Sequence, residues 1–144
     1  MISPFRRLGN LLTSKRFLSD GPPMTLRQRL EVAASDQGSA KRVLCICDHG
    51  VARAPTAAEL LSRSPYDFNT RSCGIDREAC LIPLDSVLLY WADEIVVMTS
   101  EIEATLRERY KVLVDVVVLE IEDDFRFRQP ELIQLILNRY NSKP

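Results

Sequence analysis

A chain of 144 residues, 46% of them apolar and with a formal net charge of -1, has the length of one domain around one core. The near-neutral balance supplies no electrostatic case for nucleic acid or another polyanion as the main partner. Apolar runs such as Val116-Val117-Val118-Leu119 stop far short of the ~20 residues that a membrane-spanning helix needs. The sequence carries Cys45, Cys47, Cys73 and Cys80 but no secretory signal, and a domain of this size does not depend on disulfide staples. Reduced thiols and a cytoplasmic location are therefore expected.

Residues 1–40 differ from the rest. The first nineteen contain Arg6, Arg7, Lys15 and Arg16 and no acid, and Phe5, Leu8, Leu11 and Leu12 recur at helical spacing. This basic amphipathic stretch reads as a solvated tail or docked helix, as a mitochondrial-type presequence, or as a helix for a membrane surface or a partner. Asp20-Gly21-Pro22-Pro23 breaks it, Thr25 can cap a short helix through Arg27, Leu30 and Val32, and Ser35 to Ala40 reads as a linker.

The domain proper is expected over residues 41–144. Val43-Leu44-Cys45-Ile46-Cys47 is a continuous apolar run, as a strand buried on both faces should be. Pro55 then suits the first turn of a helix through Ala57, Leu60 and Leu61. Phe68 to Cys73 predicts a second strand, Leu84 to Trp91 a helix, and Glu94 to Met98 a third strand. Ser100-Glu101-Ile102-Glu103 has the form of a capping box with Ser100 at the cap, opening a helix to about Tyr110. Val112 to Leu119 predicts a fourth strand, Glu120 to Gln129 a charged loop, and Pro130 the start of a last helix through Leu132, Ile133, Ile136 and Leu137. Strands alternating with helices imply an α/β fold, a four-stranded parallel sheet with helices on both faces.

Cys47 falls where the first strand ends and a helix is about to begin. Ligands of open α/β sheets bind outside the carboxyl ends of the strands, where loop amides and a helix N-terminus converge on an anion. Such a setting favours a nucleophilic thiolate. Arg53, six residues on, can lay its planar fork over the same ring of amides and bind two oxygens of a phosphoryl group. Cys-x5-Arg is a weak pattern alone; placed between a buried strand and a proline-bearing first turn it is specific. Glu122-Asp123-Asp124 follows the fourth strand at the same edge of the sheet, where a carboxyl can protonate a leaving oxygen. Cys45-x-Cys47-Asp48-His49 has no second ligand pair at metal-site spacing, so no metal and no other cofactor is expected.

These motifs, in this order, resemble the low-molecular-weight protein tyrosine phosphatases, most closely a bacterial-type branch. The resemblance rests on the apolar strand, loop and Pro-x-Ala of Val43 to Ala57, on Trp91-Ala92-Asp93 before Ile95-Val96-Val97-Met98, and on Asp123-Asp124-Phe125 before Pro130-Glu131-Leu132-Ile133. It implies Cys47 as nucleophile, Arg53 as phosphate clamp, Asp123 as general acid, and Asp48, His49, Gly50, Val51 and Ala52 as the phosphate cradle. Phe125 would be an aromatic wall, with Phe127 and Trp91 further candidates. The substrate implied is a phosphorylated protein, above all phosphotyrosine, or a small phosphomonoester. Three positions depart from the family's pattern. Ala54 stands where a hydroxyl usually donates to the thiolate, Gly50 where an asparagine usually buttresses the loop, and Asp48 places a carboxylate beside the nucleophile. They leave a catalytically weak or inactive phosphate-binding domain as an alternative. Arsenate reductase, using Cys73 and Cys80 as relay thiols, is another. The order of motifs argues against the dual-specificity phosphatases, whose loop falls late in the chain and whose acid precedes it.

Overall fold

The computed structural model describes residues 39–143; the expectations for residues 1–38, including the Thr25-capped helix, lie outside the described residues. Four strands form one parallel sheet in the order β2-β1-β3-β4. They are β1 (Arg42–Cys47), β2 (Asn69–Gly74), β3 (Glu94–Val97) and β4 (Asp115–Val118). Helix α1 (Arg53–Leu61) joins β1 to β2, α2 (Ser86–Trp91) joins β2 to β3, α3 (Ser100–Arg109) joins β3 to β4, and α4 (Pro130–Asn141) closes the fold. β1 is a central strand paired on both edges, Ile46 lying in register with Cys73 of β2 and Val97 of β3, and its apolar run is buried from Val43 to Cys47 beneath the helices that pack on it.

The chain leaves β1 toward β2 and then returns past β1 to β3. Right-handed crossovers therefore put α1 on one face and α2 and α3 on the other, while α4 packs against α1. The strand order reverses between β1 and β3, and the loop after β1 opens at that switch point.

Three boundaries differ from expectation for local reasons. The capping residue of α3 is Thr99, not Ser100: the Thr99 hydroxyl accepts from the Ile102 amide at 3.3 Å, and Glu103 turns away to pair with Arg107. The Ser100 hydroxyl instead donates to Glu120 at 2.8 Å. Helix α2 starts at Ser86 because Asp85 caps it, accepting from the Leu88 amide at 3.0 Å. Strand β4 pairs only over the four residues that β3 offers, Asp115 opposite Glu94 to Val118 opposite Val97. Among the described residues no helix is long and apolar enough to cross a membrane.

At the end of the sheet remote from Cys47, Glu94 is buried in a polar knot. Its carboxylate accepts the Tyr140 hydroxyl at 2.8 Å and faces Lys41 Nζ at 3.2 Å. Burial and the neighbouring carboxylate both push the Tyr140 phenol well above its ordinary pKa, so it stays a donor. The knot locks α4 to the start of β3. Tyr140→Phe deletes that donor and leaves a buried carboxylate oxygen short of a partner. It should lower stability by about 1–3 kcal/mol, read as a lower urea midpoint at unchanged slope; an unchanged midpoint would show that Lys41 alone satisfies Glu94.

Candidate active site

The loop between β1 and α1 is built around two close approaches. Gly50 has φ of +70°, and a Cβ there would come within 3.0 Å of the Cys73 carbonyl carbon and the Gly74 nitrogen. A Cβ on Gly74 would meet the His49 carbonyl carbon at 2.8 Å, the Asp48 oxygen at 2.9 Å and Cys80 Cβ at 2.7 Å. Two glycines thus let the loop lie directly on the end of β2. Backbone bonds hold it there: the Ile75 amide donates to the Cys47 carbonyl at 2.9 Å and the Asp76 amide to the Asp48 carbonyl at 3.0 Å.

Cys47, 3% exposed, ends β1 with its Sγ accepting the Gly50 amide at 3.1 Å. Helix α1 begins six residues later, and no side chain caps it at Ala52. Pro55, third in the helix, has no amide proton, so the Arg53 and Ala54 amides are the first-turn donors left to meet an anion.

Arg53 is only 1% exposed, and its guanidinium reaches under the loop to the far side of the site. Nη1 donates to the Ile121 carbonyl at 2.7 Å and Nη2 to Asp48 Oδ2 at 2.8 Å. Nε makes no hydrogen bond and faces Asp123 Oδ1 at 3.6 Å. The acidic loop that carries Asp123 is tied down at both ends. The Ile121 amide donates to the Met98 carbonyl at 2.7 Å, and the Arg139 guanidinium donates to the carbonyls of Leu119 and Glu120. At the other end the Arg128 amide donates to Thr56 Oγ1 at 3.0 Å, and the Arg128 side chain pairs with Glu59 on α1.

Cys47, Asp48, Gly50, Ala52 and Arg53 therefore lie on or at the ends of one loop, and Asp123, from the loop after β4, reaches Arg53. His49 and Val51 lie at the first loop's exposed margin, His49 Nε2 being 3.6 Å from Asp76. Phe125 is half-buried two residues beyond Asp123, and Phe127 is exposed under the Arg128 guanidinium. Trp91, which the sequence leaves open between core and cleft, is wholly buried at the end of α2 with the Arg71 guanidinium stacked 4.7 Å from its ring, so it walls no cleft. Two contributors escape sequence reasoning. The Ile121 carbonyl is a main-chain group with no residue signature, whereas Gly74 is visible as the glycine that ends β2. All four cysteines are free thiols, and burial pushes those of Cys45 and Cys73 far above the ordinary range.

No family model matches the sequence, and no curated protein does. Solved structures do. The tyrosine phosphatase AmsI of Erwinia amylovora matches with a TM-score of 0.55 at 15% identity, over 71% of this chain and 87% of its own. A thioredoxin-dependent arsenate reductase of Corynebacterium glutamicum matches with 0.51 at 19% identity, over 81% and 66%. The YwlE arginine phosphatase of Geobacillus stearothermophilus matches with 0.49 at 21%, over 69% and 90%. The fold is that of the low-molecular-weight tyrosine phosphatases.

Glycine at position 50 has a steric cause. The backbone there is left-handed, and the approach of β2 leaves no room for a side chain. Gly50→Ala must strain the loop or push it off β2. A loss of about 1–3 kcal/mol is expected, together with faster alkylation of Cys47 by iodoacetamide as the loop loosens. Unchanged stability would mean that the Cys73–Gly74 backbone can move aside.

Proposed function

We propose that the protein is a cysteine-dependent phosphomonoester hydrolase that acts on phosphotyrosine in proteins through a phosphocysteine intermediate. The observation that carries this reading is the convergence of the Cys47 Sγ, the uncapped start of α1 and the buried Arg53 fork on one loop. Cys47 attacks phosphorus in line with the leaving oxygen, and charge growing on the equatorial oxygens is met by loop amides and by Arg53. Asp123, held beside Arg53 on the anchored acidic loop, gives its proton to the tyrosine oxygen as the P–O bond breaks. The same carboxylate then takes a proton from the water that displaces Cys47, which releases inorganic phosphate and regenerates the thiolate.

An aryl substrate suits the margin of the site. Val51, Leu81 and Ile82 are large apolar side chains left more than half exposed. The Leu81 amide approaches the His49 carbonyl at 3.4 Å, which brings that segment beside the loop, while Phe125 and Phe127 follow two and four residues after Asp123. An arsenate-reductase relay fits less well, because the Cys73 thiol is buried in β2 and held protonated by its surroundings. A phosphoryl-binding domain without turnover is a second reading, favoured by the buried Ala54, which offers the thiolate no hydroxyl, and by the Asp48–Arg53 pair.

Turnover of an aryl phosphate decides between them. Cys47→Ser and Arg53→Ala should each leave less than about a tenth of wild-type activity; greater retention by Cys47→Ser would remove the nucleophile assignment, and no wild-type turnover would favour the binding domain. Asp123→Asn should slow a substrate with a poor leaving group far more than one with an activated aryl group, since the latter needs little protonation. Equal losses on both would indicate damage to the loop, and a leaving-group-dependent loss in Asp124→Asn alone would move the acid one residue along.

Ala54→Ser restores a donor to the thiolate, which is the leaving group of the second step. A rise in turnover of several-fold, up to about tenfold, is expected. An unchanged rate would show that the Gly50 amide already supplies what the hydroxyl would.

A further inference from the structure

A guanidinium offers two parallel donors along the edge formed by Nε and Nη2, and that edge is the one that grips two oxygens of a phosphoryl group. In Arg53 the remaining nitrogen, Nη1, is spent on the fixed Ile121 carbonyl. The phosphoryl-binding edge is met by two carboxylates of the chain itself: Asp48 Oδ2 sits 2.8 Å from Nη2, and Asp123 Oδ1 lies 3.6 Å from Nε. Neither carboxylate spans the edge, and Nε has no hydrogen bond although it is buried. Asp48 thus occupies the seat of one phosphoryl oxygen, and a dianion placed beside it would meet like charge at contact range.

We propose that Asp48 is a resident counter-ion that competes with the substrate's phosphoryl group for Arg53 and thereby sets the affinity of the loop for phosphate. The inference rests on the reading of this loop as a phosphoryl site. A guanidinium 1% exposed needs an acceptor when no anion is bound, and Asp48 supplies it from within the loop. Its side chain is 45% exposed, while its backbone is pinned by the Asp76 amide at 3.0 Å and by the approach of Gly74. Rotation about the side chain's own bonds can therefore carry the carboxylate into solvent without disturbing the loop. Its return to Nη2 after hydrolysis opposes retention of the product, inorganic phosphate. Asp48 is on this account a specificity-determining residue that penalises the bare dianion and requires the rest of the substrate to contribute to binding.

The test is protection of Cys47 from iodoacetamide by inorganic phosphate, in wild type, Asp48→Asn, Asp48→Ser and Arg53→Ala. Both Asp48 variants should reach half-protection at phosphate concentrations lower by about tenfold or more, the equivalent of removing one nearby like charge. Their melting temperatures should be lower than wild type without phosphate and should rise further on its addition, because the anion replaces the missing counter-ion. A residue that merely positioned Arg53 would act the opposite way, its loss weakening phosphate binding. Half-protection at equal or higher phosphate in both variants overturns the role of Asp48 and leaves the phosphoryl site standing, provided that Arg53→Ala abolishes protection. Absence of protection in wild type and in both Asp48 variants overturns the site and the inference together.

Discussion

The burial of the Arg53 guanidinium is the constraint from which the rest of the site follows. A cation 1% exposed must be given acceptors within the protein, and those it finds belong to two loops far apart in sequence. Asp48 comes from the loop after β1, Ile121 and Asp123 from the loop after β4. The two strands are separated in the sheet by β3, so the arginine bridges over the end of a strand that contributes no side chain to it. The parallel sheet puts both loops on one edge, and this bridge spans the width of β3 that still separates the acidic loop from the loop after β1.

The opposite side of the loop is set by exclusion rather than attraction. Gly50 and Gly74 leave no side-chain volume between the loop and β2, so the backbone of residues 48–50 has little freedom to move in that direction. Pressed against β2 and drawn toward Arg53, the loop presents Cys47 Sγ to the Gly50 amide and leads into the uncapped start of α1. The proposed hydrolysis would depend on donors that are in place before charge develops. Two glycines and one buried arginine hold the loop in one place.

The alternation of apolar runs with helical periodicity made the parallel sheet legible in the sequence, because β1 and β3 are central strands and read as unbroken hydrophobic stretches. That Cys47, Arg53 and the acidic loop lie at one edge was legible for a related reason: motifs at the carboxyl ends of parallel strands fall on one edge of such a sheet. What the sequence conceals is side-chain partnership. Ser100 and Glu103 make a convincing capping box, yet Thr99 caps α3 because Ser100 and Glu103 find better partners in Glu120 and Arg107. Trp91 reads equally as core or cleft, and only the packing of α2 against the sheet decides. Asp48 reads as an obstacle beside the nucleophile; that it is the counter-ion of Arg53 depends on a side-chain torsion that no spacing encodes.

Two of the three departures at the loop, Asp48 and Ala54, would act on different quantities in the proposed reaction. An acceptor that must be displaced from Arg53 weakens binding of the free dianion in the ground state. It costs the chemical step little once remote contacts have paid for the exchange. In the proposed reaction a missing hydroxyl at Ala54 bears on the Cys47 sulfur, which leaves in the second step, so its effect would fall on the rate of phosphocysteine breakdown. The first departure raises the importance of the apolar margin formed by Val51, Leu81 and Ile82, because only contacts away from phosphorus can offset a carboxylate in the cradle. On the proposed reading, a domain so built would discriminate against inorganic phosphate and small esters and favour a phosphoryl group carried on a larger, partly apolar body.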